Sequence, residues 1–256
     1  MTGVGPGPPD LSFLISRADR ASLVELVRDG VARFTERDAL QVLRSPHLTA
    51  AAIEEIVVSR RLLSARAVRK AIALHPATPR PTALDVLEAL LWRDLVDVGR
   101  STRTPMPVRR AANQRVLERL VRMTLGEKIA LARLADRTLL PALLEVPEER
   151  VFSALLQNPR LESEDLVRFV TVGRPDARRL AILADDTRWN RIPEIRSALL
   201  ACPDTPRGVA LSLLARGTRA EWRRLMENPN ADKLLSACAR RLYEEEPRFD
   251  NPEKYL

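Results

Sequence analysis

Four side chains in this chain of 256 residues are of the types that most often carry chemistry: His47, His75, Cys202 and Cys238. Metal binding needs such residues at close, regular spacing, and nucleophilic catalysis needs a base set beside the nucleophile. Neither arrangement is present. The chain has no Cys-x-x-Cys, no His-x-x-x-His, no Gly-x-Ser-x-Gly and no glycine-rich phosphate loop. His75 instead occupies a slot before proline that Ser45, Asn158, Cys202 and Asn228 fill elsewhere, which marks it as a turn-capping position. Cys202 shares that slot and Cys238 aligns with Ala112, so both read as small, buried or half-buried residues. No catalytic residue, metal ligand or cofactor is expected. Two cysteines cannot build a disulfide framework, and a reducing, cytoplasmic setting is the natural expectation.

Charge is the remaining signal. The 42 basic and 34 acidic residues leave a net charge of +8. Between Arg60 and Arg122 there are 14 basic and 5 acidic residues, an excess that accounts for the whole surplus. Arg60, Arg61, Arg66, Arg69, Lys70, Arg109, Arg110 and Arg115 are therefore the candidate binding residues, with Arg66, Arg69 and Lys70 spaced i, i+3, i+4. A stripe of that kind attracts phosphates or an acidic protein. The bland reading is a solvated basic face, because only 4 of the 42 basic residues are lysine and such a bias also tracks base composition. Trp189 sits between Arg188 and Arg191, where an exposed ring could stack on a base or a partner side chain. Trp92 and Trp222 are paired as layer-sealing core residues.

The elements that must position these residues are helical. With 9 Gly, 4% aromatics and few alternating apolar runs, sandwiches and barrels are disfavoured. Ile53, Ile56 and Val57 mark one helical stripe and Val116, Leu117, Leu120 and Val121 another. The runs that end at Ser45, His75, Asn158, Cys202 and Asn228 are cut short by proline, whose ring clashes with the preceding turn and pushes the residue before it out of the α region. Thr49, Thr78, Ser163 and Thr205 are expected as N-caps of the following helices, with Pro79 and Pro206 at the first helical position. No run of 18 apolar residues exists, so no membrane span is expected. The start is Gly/Pro-rich without a signal-peptide pattern.

A long repeat overlies the turns. Sliding the chain along itself until position 68 meets 195 places 68–87 on 195–214, with Arg69/Arg196, Ala71/Ala198, Pro76/Pro203, Thr78/Thr205, Pro79/Pro206 and Leu87/Leu214 among the identities. Leu84/Leu211 is another identity, and both leucines are expected in the core. With a small length adjustment, Trp92-Arg93-Asp94-Leu95 falls on Trp222-Arg223-Arg224-Leu225. Upstream, a slightly smaller shift places 39–57 on 152–170, and the second copy carries extra residues near 171–184. The expected organisation is a flexible N-terminus (1–21), two diverged helical-repeat halves (22–125 and 126–243) and an acidic C-terminal tail (244–256).

The stretch Val68-Arg69-Lys70-Ala71-Ile72-Ala73-Leu74-His75-Pro76-Ala77-Thr78-Pro79, echoed at 195–206 and 150–163, resembles the leucine-rich repeat variant and HEAT-like helical repeats of bacterial proteins. Those repeats share a valine-arginine-x-alanine helix followed by an asparagine-proline-x-threonine-proline turn. The resemblance implies an all-α fold of stacked helix pairs, a curved α-solenoid with a concave face for partners. Repeat lengths here are irregular, residues 126–146 lack a proline turn, and the cysteine cluster of some variant-repeat proteins is missing. Two functions are expected from this. One is a non-enzymatic scaffold for protein–protein interaction. The alternative is nucleic-acid binding through residues 60–122, similar to the HEAT-like alkylpurine DNA glycosylases, although none of their acidic or tryptophan site residues maps onto a position here.

Overall fold

The computed structural model describes residues 11–173, 175–229 and 231–245. The fold is all-α, with no strand among the described residues. The helices are α1 (Leu11–Arg17), α2 (Arg20–Gly30), α3 (Glu36–Arg44), α4 (Ala50–Val58), α5 (Arg60–Ser64), α6 (Arg66–Leu74), α7 (Arg80–Glu88), α8 (Trp92–Arg100) and α9 (Met106–Leu120). They continue as α10 (Leu125–Leu134), α11 (Leu140–Leu144), α12 (Glu149–Leu156), α13 (Ser163–Thr171), α14 (Ala177–Asp185), α15 (Pro193–Ala201), α16 (Arg207–Ala215), α17 (Arg219–Glu227) and α18 (Lys233–Glu245).

Many of these helices have nine residues. A helix that short is marginal by itself in water and depends on packing and on its ends. The beginnings are handled locally. Thr35, Thr124 and Thr218 open α3, α10 and α17 in capping boxes with Asp38, Glu127 and Glu221, and Thr49 caps α4 through Ala52 N–H. The turn slot also works as expected. Ser45 Oγ, His75 Nδ1 and Asn158 Oδ1 each accept the N–H two residues on, so three side-chain types make one turn.

Thr78 and Thr205 are not N-caps. Pro79 and Pro206 take those positions, not the first helical one, and the threonines lie buried one residue earlier. Their hydroxyls point back and donate to Ile72 O (2.6 Å) and Leu199 O (2.7 Å) of the helix just ended. Ser163 is the first residue of α13, and Glu162 is its cap.

Contacts divide the chain into two compact units between Met123 and Thr124. In the first unit α1, α3, α6 and α8 pack in succession as one row, while α2 packs on α4 and α7 on α9. In the second, α10, α12, α14, α16 and α18 form one row, and α13, α15 and α17 another. Leu11–Arg17, expected to be flexible, form a helix because Ile15 is buried and Ser12 exchanges hydrogen bonds with Gln41 of α3. Glu244 and Glu245 close α18, and the rest of the expected acidic tail lies outside the described residues.

The long sequence shift reappears as matching bonds. Thr78 and Thr205 are one such pair. Arg69 donates to Leu63 O (2.8 Å) and Arg196 to Asn190 O (3.0 Å), with both donors and both acceptors related by that same shift. The buried apolar positions of α6 and α7 also recur, with Val68, Ile72, Ala83, Val86 and Leu87 matched by Ile195, Leu199, Ala210, Leu213 and Leu214. Leu84 and Leu211 are not part of this core; Leu84 is half-buried and Leu211 is 38% exposed. Upstream, packing departs from the smaller shift. α3 lies on α6, but its sequence match α12 lies on α14, and α13 takes the place on α15. The cause is one extra full helix: where the first unit has the single-turn α5, the second has the nine-residue α14, which moves every earlier helix to the other row.

Candidate functional site

Six of the eight basic candidates are engaged within the protein. Arg66 grips Asp94 with two bonds (2.7 and 3.0 Å), and Lys70 lies 3.4 Å from Asp94 and 2.5 Å from Asp97. Arg69 donates to Leu63 O, and Arg109 donates to Gly99 O (3.0 Å). Arg61 donates to the carbonyls of Ala32 and Phe34 in the turn between α2 and α3. Arg115 is paired with Glu88 and Glu118. Arg60 and Arg110 are on α5 and α9, and none of the eight lines either of the cavities described below.

Asp94 organises this region. It is 1% exposed, and burial alone pushes its carboxyl up. The Arg66 hydrogen bond and the Arg66 and Lys70 charges outweigh that, leaving its pKa below the usual carboxylate value. Its counterpart in the second unit under the long shift is Glu221, 3% exposed and held by Arg196 at 2.8 Å. This pair fixes the register of α8 on α17. Trp222 therefore corresponds to Leu95, and the alignment that matched the two tryptophans is out of register. Trp222 is buried and donates to Leu214 O (2.9 Å), whereas Trp92 is half-exposed beneath Arg93. Trp189 is also no exposed platform. It is 3% exposed and donates to Leu156 O (3.0 Å), with Arg188 covering the ring at 4.2 Å.

A different set of cations comes together at the turn edge of the first unit. There, the ends of α3, α6 and α8 line a groove of about 610 Å³. Arg44 ends α3, His75 caps α6, and Arg103 follows α8, with apolar ground from Leu43, Leu74 and Pro76. Among the described residues, no carboxylate lines it. Half-burial, and then the Arg103 charge, push the His75 imidazole below its ordinary pKa. Its Nδ1 accepts the Ala77 N–H (3.1 Å), as the neutral ring can. Under the long shift the matching positions of the second unit are Cys202 for His75 and Asp204 for Ala77, so this electropositive edge belongs to the first unit alone. Linear reading missed it because Arg44 lies outside the basic 60–122 segment and far along the chain from Arg103, which lies inside it but not among the candidate residues. The recurrence of proline turns at 46 and 76 was the available signal.

Among the described residues, no three His, Cys, Asp or Glu side chains stand close enough to hold a metal ion, and no helix is long and apolar enough to cross a membrane. Comparison with family models, with curated proteins and with solved structures returned no match.

Proposed function

We propose that this chain is a non-enzymatic helical-repeat scaffold, akin to HEAT-like and leucine-rich repeat variant α-solenoids, that takes an acidic segment of a cytoplasmic protein partner. The observation that carries this reading is the groove at the ends of α3, α6 and α8, where Arg44, Arg103 and His75 line a cleft that has no carboxylate among the described residues. Its length across three helix ends suits an extended peptide better than a compact metabolite, and its apolar floor offers contacts between charges. The segment 60–122 favours nucleic acid less than its charge suggests, since most of its candidate cations already hold carboxylates or carbonyls of this chain.

Fluorescence anisotropy with a labelled Glu/Asp-rich peptide and a labelled DNA duplex tests the proposal. The expected result is salt-sensitive peptide binding that is lost in the Arg44→Glu, Arg103→Glu double variant and tightens as pH falls and His75 gains its proton. Binding of the duplex in preference to the peptide, or peptide binding that survives the double variant, would overturn it.

A further inference from the structure

We infer that the second unit contains a small-molecule site between α15 and α17 that takes a carboxylate on a short aliphatic chain. The site becomes visible when the two units are compared at the long shift, which the Thr78/Thr205 and Arg69/Arg196 bonds establish. In the first unit, the space between α6 and α8 is closed by Lys70, whose Nζ bridges Asp94 and Asp97. In the second unit the three positions are Ser197, Glu221 and Arg224. Serine for lysine removes the plug. What remains is a hollow of about 200 Å³ lined by these three residues and by Leu200, Ala201, Leu225 and Asn228, the last already engaged within the protein.

The chemistry of the lining selects the ligand. Glu221 is already satisfied. One oxygen accepts from Arg196, and the other accepts from the Thr218 N–H (2.7 Å) and hydroxyl (3.1 Å). Two donors are left over. Ser197 Oγ is buried without a hydrogen-bond partner, an arrangement that is costly unless something fills it. Arg224 forms no ion pair among the described residues and stands where the first unit has Asp97. The substitution of Arg224 for Asp97 reverses the sign of the charge at the mouth. A site built for an internal ammonium has become one whose spare groups are a hydroxyl and a guanidinium, both donors. Their complement is a carboxylate, with the leucines receiving its aliphatic part.

Saturation-transfer NMR on the full chain tests this with three probes: butyrate, n-butylammonium, and a blocked glutamate peptide carrying the same group on a side chain. So few contacting atoms imply an affinity of about millimolar, which this method detects. Transfer is expected to butyrate or to the glutamate side chain, and which of the two receives it tells a free acid from a peptide. None is expected to n-butylammonium. Arg224→Gln should remove the signal. The double variant Ser197→Lys, Arg224→Asp rebuilds the ammonium bridge of the first unit, so it should melt at a higher temperature than the parent and bind no probe. Equal transfer to all three probes, no transfer to any, a signal that survives Arg224→Gln, or a double variant no more stable than the parent would each refute the inference. The Arg44/Arg103 groove is in the other unit, and its double variant should leave butyrate binding intact.

Discussion

Arg66 should matter more to stability than its exposure implies. Its side chain is 53% exposed, and an ion pair between two such groups contributes about 0–1 kcal/mol. Its partner, however, is Asp94, whose side chain is 1% exposed. Removing Asp94 deletes the buried charge and frees Arg66 and Lys70 to reach water; Asp94→Ala should therefore cost about 2 kcal/mol, the value of lost charge-assisted bonds. Removing Arg66 leaves the carboxylate in place with only Lys70, at 3.4 Å, to compensate it, which is the worse outcome. Arg66→Ala should thus be the more destabilised variant, and the double variant should lose less than the sum of the two. Urea unfolding followed by circular dichroism measures all three. The dependence on pH has a definite sign. The folded carboxyl lies below its ordinary value of 3.8, because the Arg66 and Lys70 contacts outweigh burial, so its stabilisation is present above that value and is lost as pH falls through the folded one. The deficit of Asp94→Ala should hold constant from about pH 8 to about pH 5 and close below about pH 4. Parent-like stability of Arg66→Ala at neutral pH, or a deficit unchanged in acid, would refute the reasoning.

Three further outcomes rest on packing. Leu87→Ala and Leu214→Ala, at fully buried positions, should each cost about 2–5 kcal/mol, whereas Leu84→Ala and Leu211→Ala should cost about 1 kcal/mol or less, as thermal melts will show. Thr78→Val and Thr205→Val remove the hydroxyl donors to the carbonyls of Ile72 and Leu199 and should each lose about 1–2 kcal/mol, with Thr→Ser restoring most of it. In α8, a methyl group on Gly99 would collide with Asn113 Oδ1 on α9, so Gly99→Ala should cost about 1–3 kcal/mol by calorimetry.

The all-α class was legible because it rests on local facts, namely the absence of alternating runs and the recurrence of helices ended by proline. The long repeat was legible because nine of twenty side chains are unchanged across it. What escaped reading were choices between two local rules that the same residue satisfies. A threonine before proline fits both an N-cap and a donor to the helix behind it, and only the buried Ile72 carbonyl decides for the second. Matching tryptophan to tryptophan is the stronger signal by residue type, yet the buried acid sets the register, since a misplaced charge costs more than a misplaced ring. Leu84 reads as core because it is shared between the copies, but the buried stripe of α7 runs Ala83, Val86, Leu87 and passes beside it.

The arginines resisted linear reading for a related reason, which also explains why the chain has so many. A nine-residue helix leaves its last four carbonyls without intrahelical partners, nearly half of its total. In this fold such carbonyls, and some in the turns that follow, are met by side chains from two or three helices further along the chain. Thr104 reaches Leu74 O (3.3 Å), the last carbonyl of α6, while Arg61 and Arg119 reach Phe34 O and Leu90 O (2.5 Å) in the turns after α2 and α7. In the second unit Asn158 reaches Ala132 O (2.7 Å), Arg179 reaches Leu144 O (2.7 Å) and Trp189 reaches Leu156 O. The ion pairs keep nearly the same step, with Arg28 on Glu55, Arg66 on Asp94, Lys70 on Asp97 and Arg178 on Glu149. Arginine suits this work because it combines length, a permanent charge and five donors in one planar head. A positive net charge is then a by-product of stacking short helices. Arg44 and Arg103 line the groove instead, and in the proposed function they are the cations left to recognise a partner.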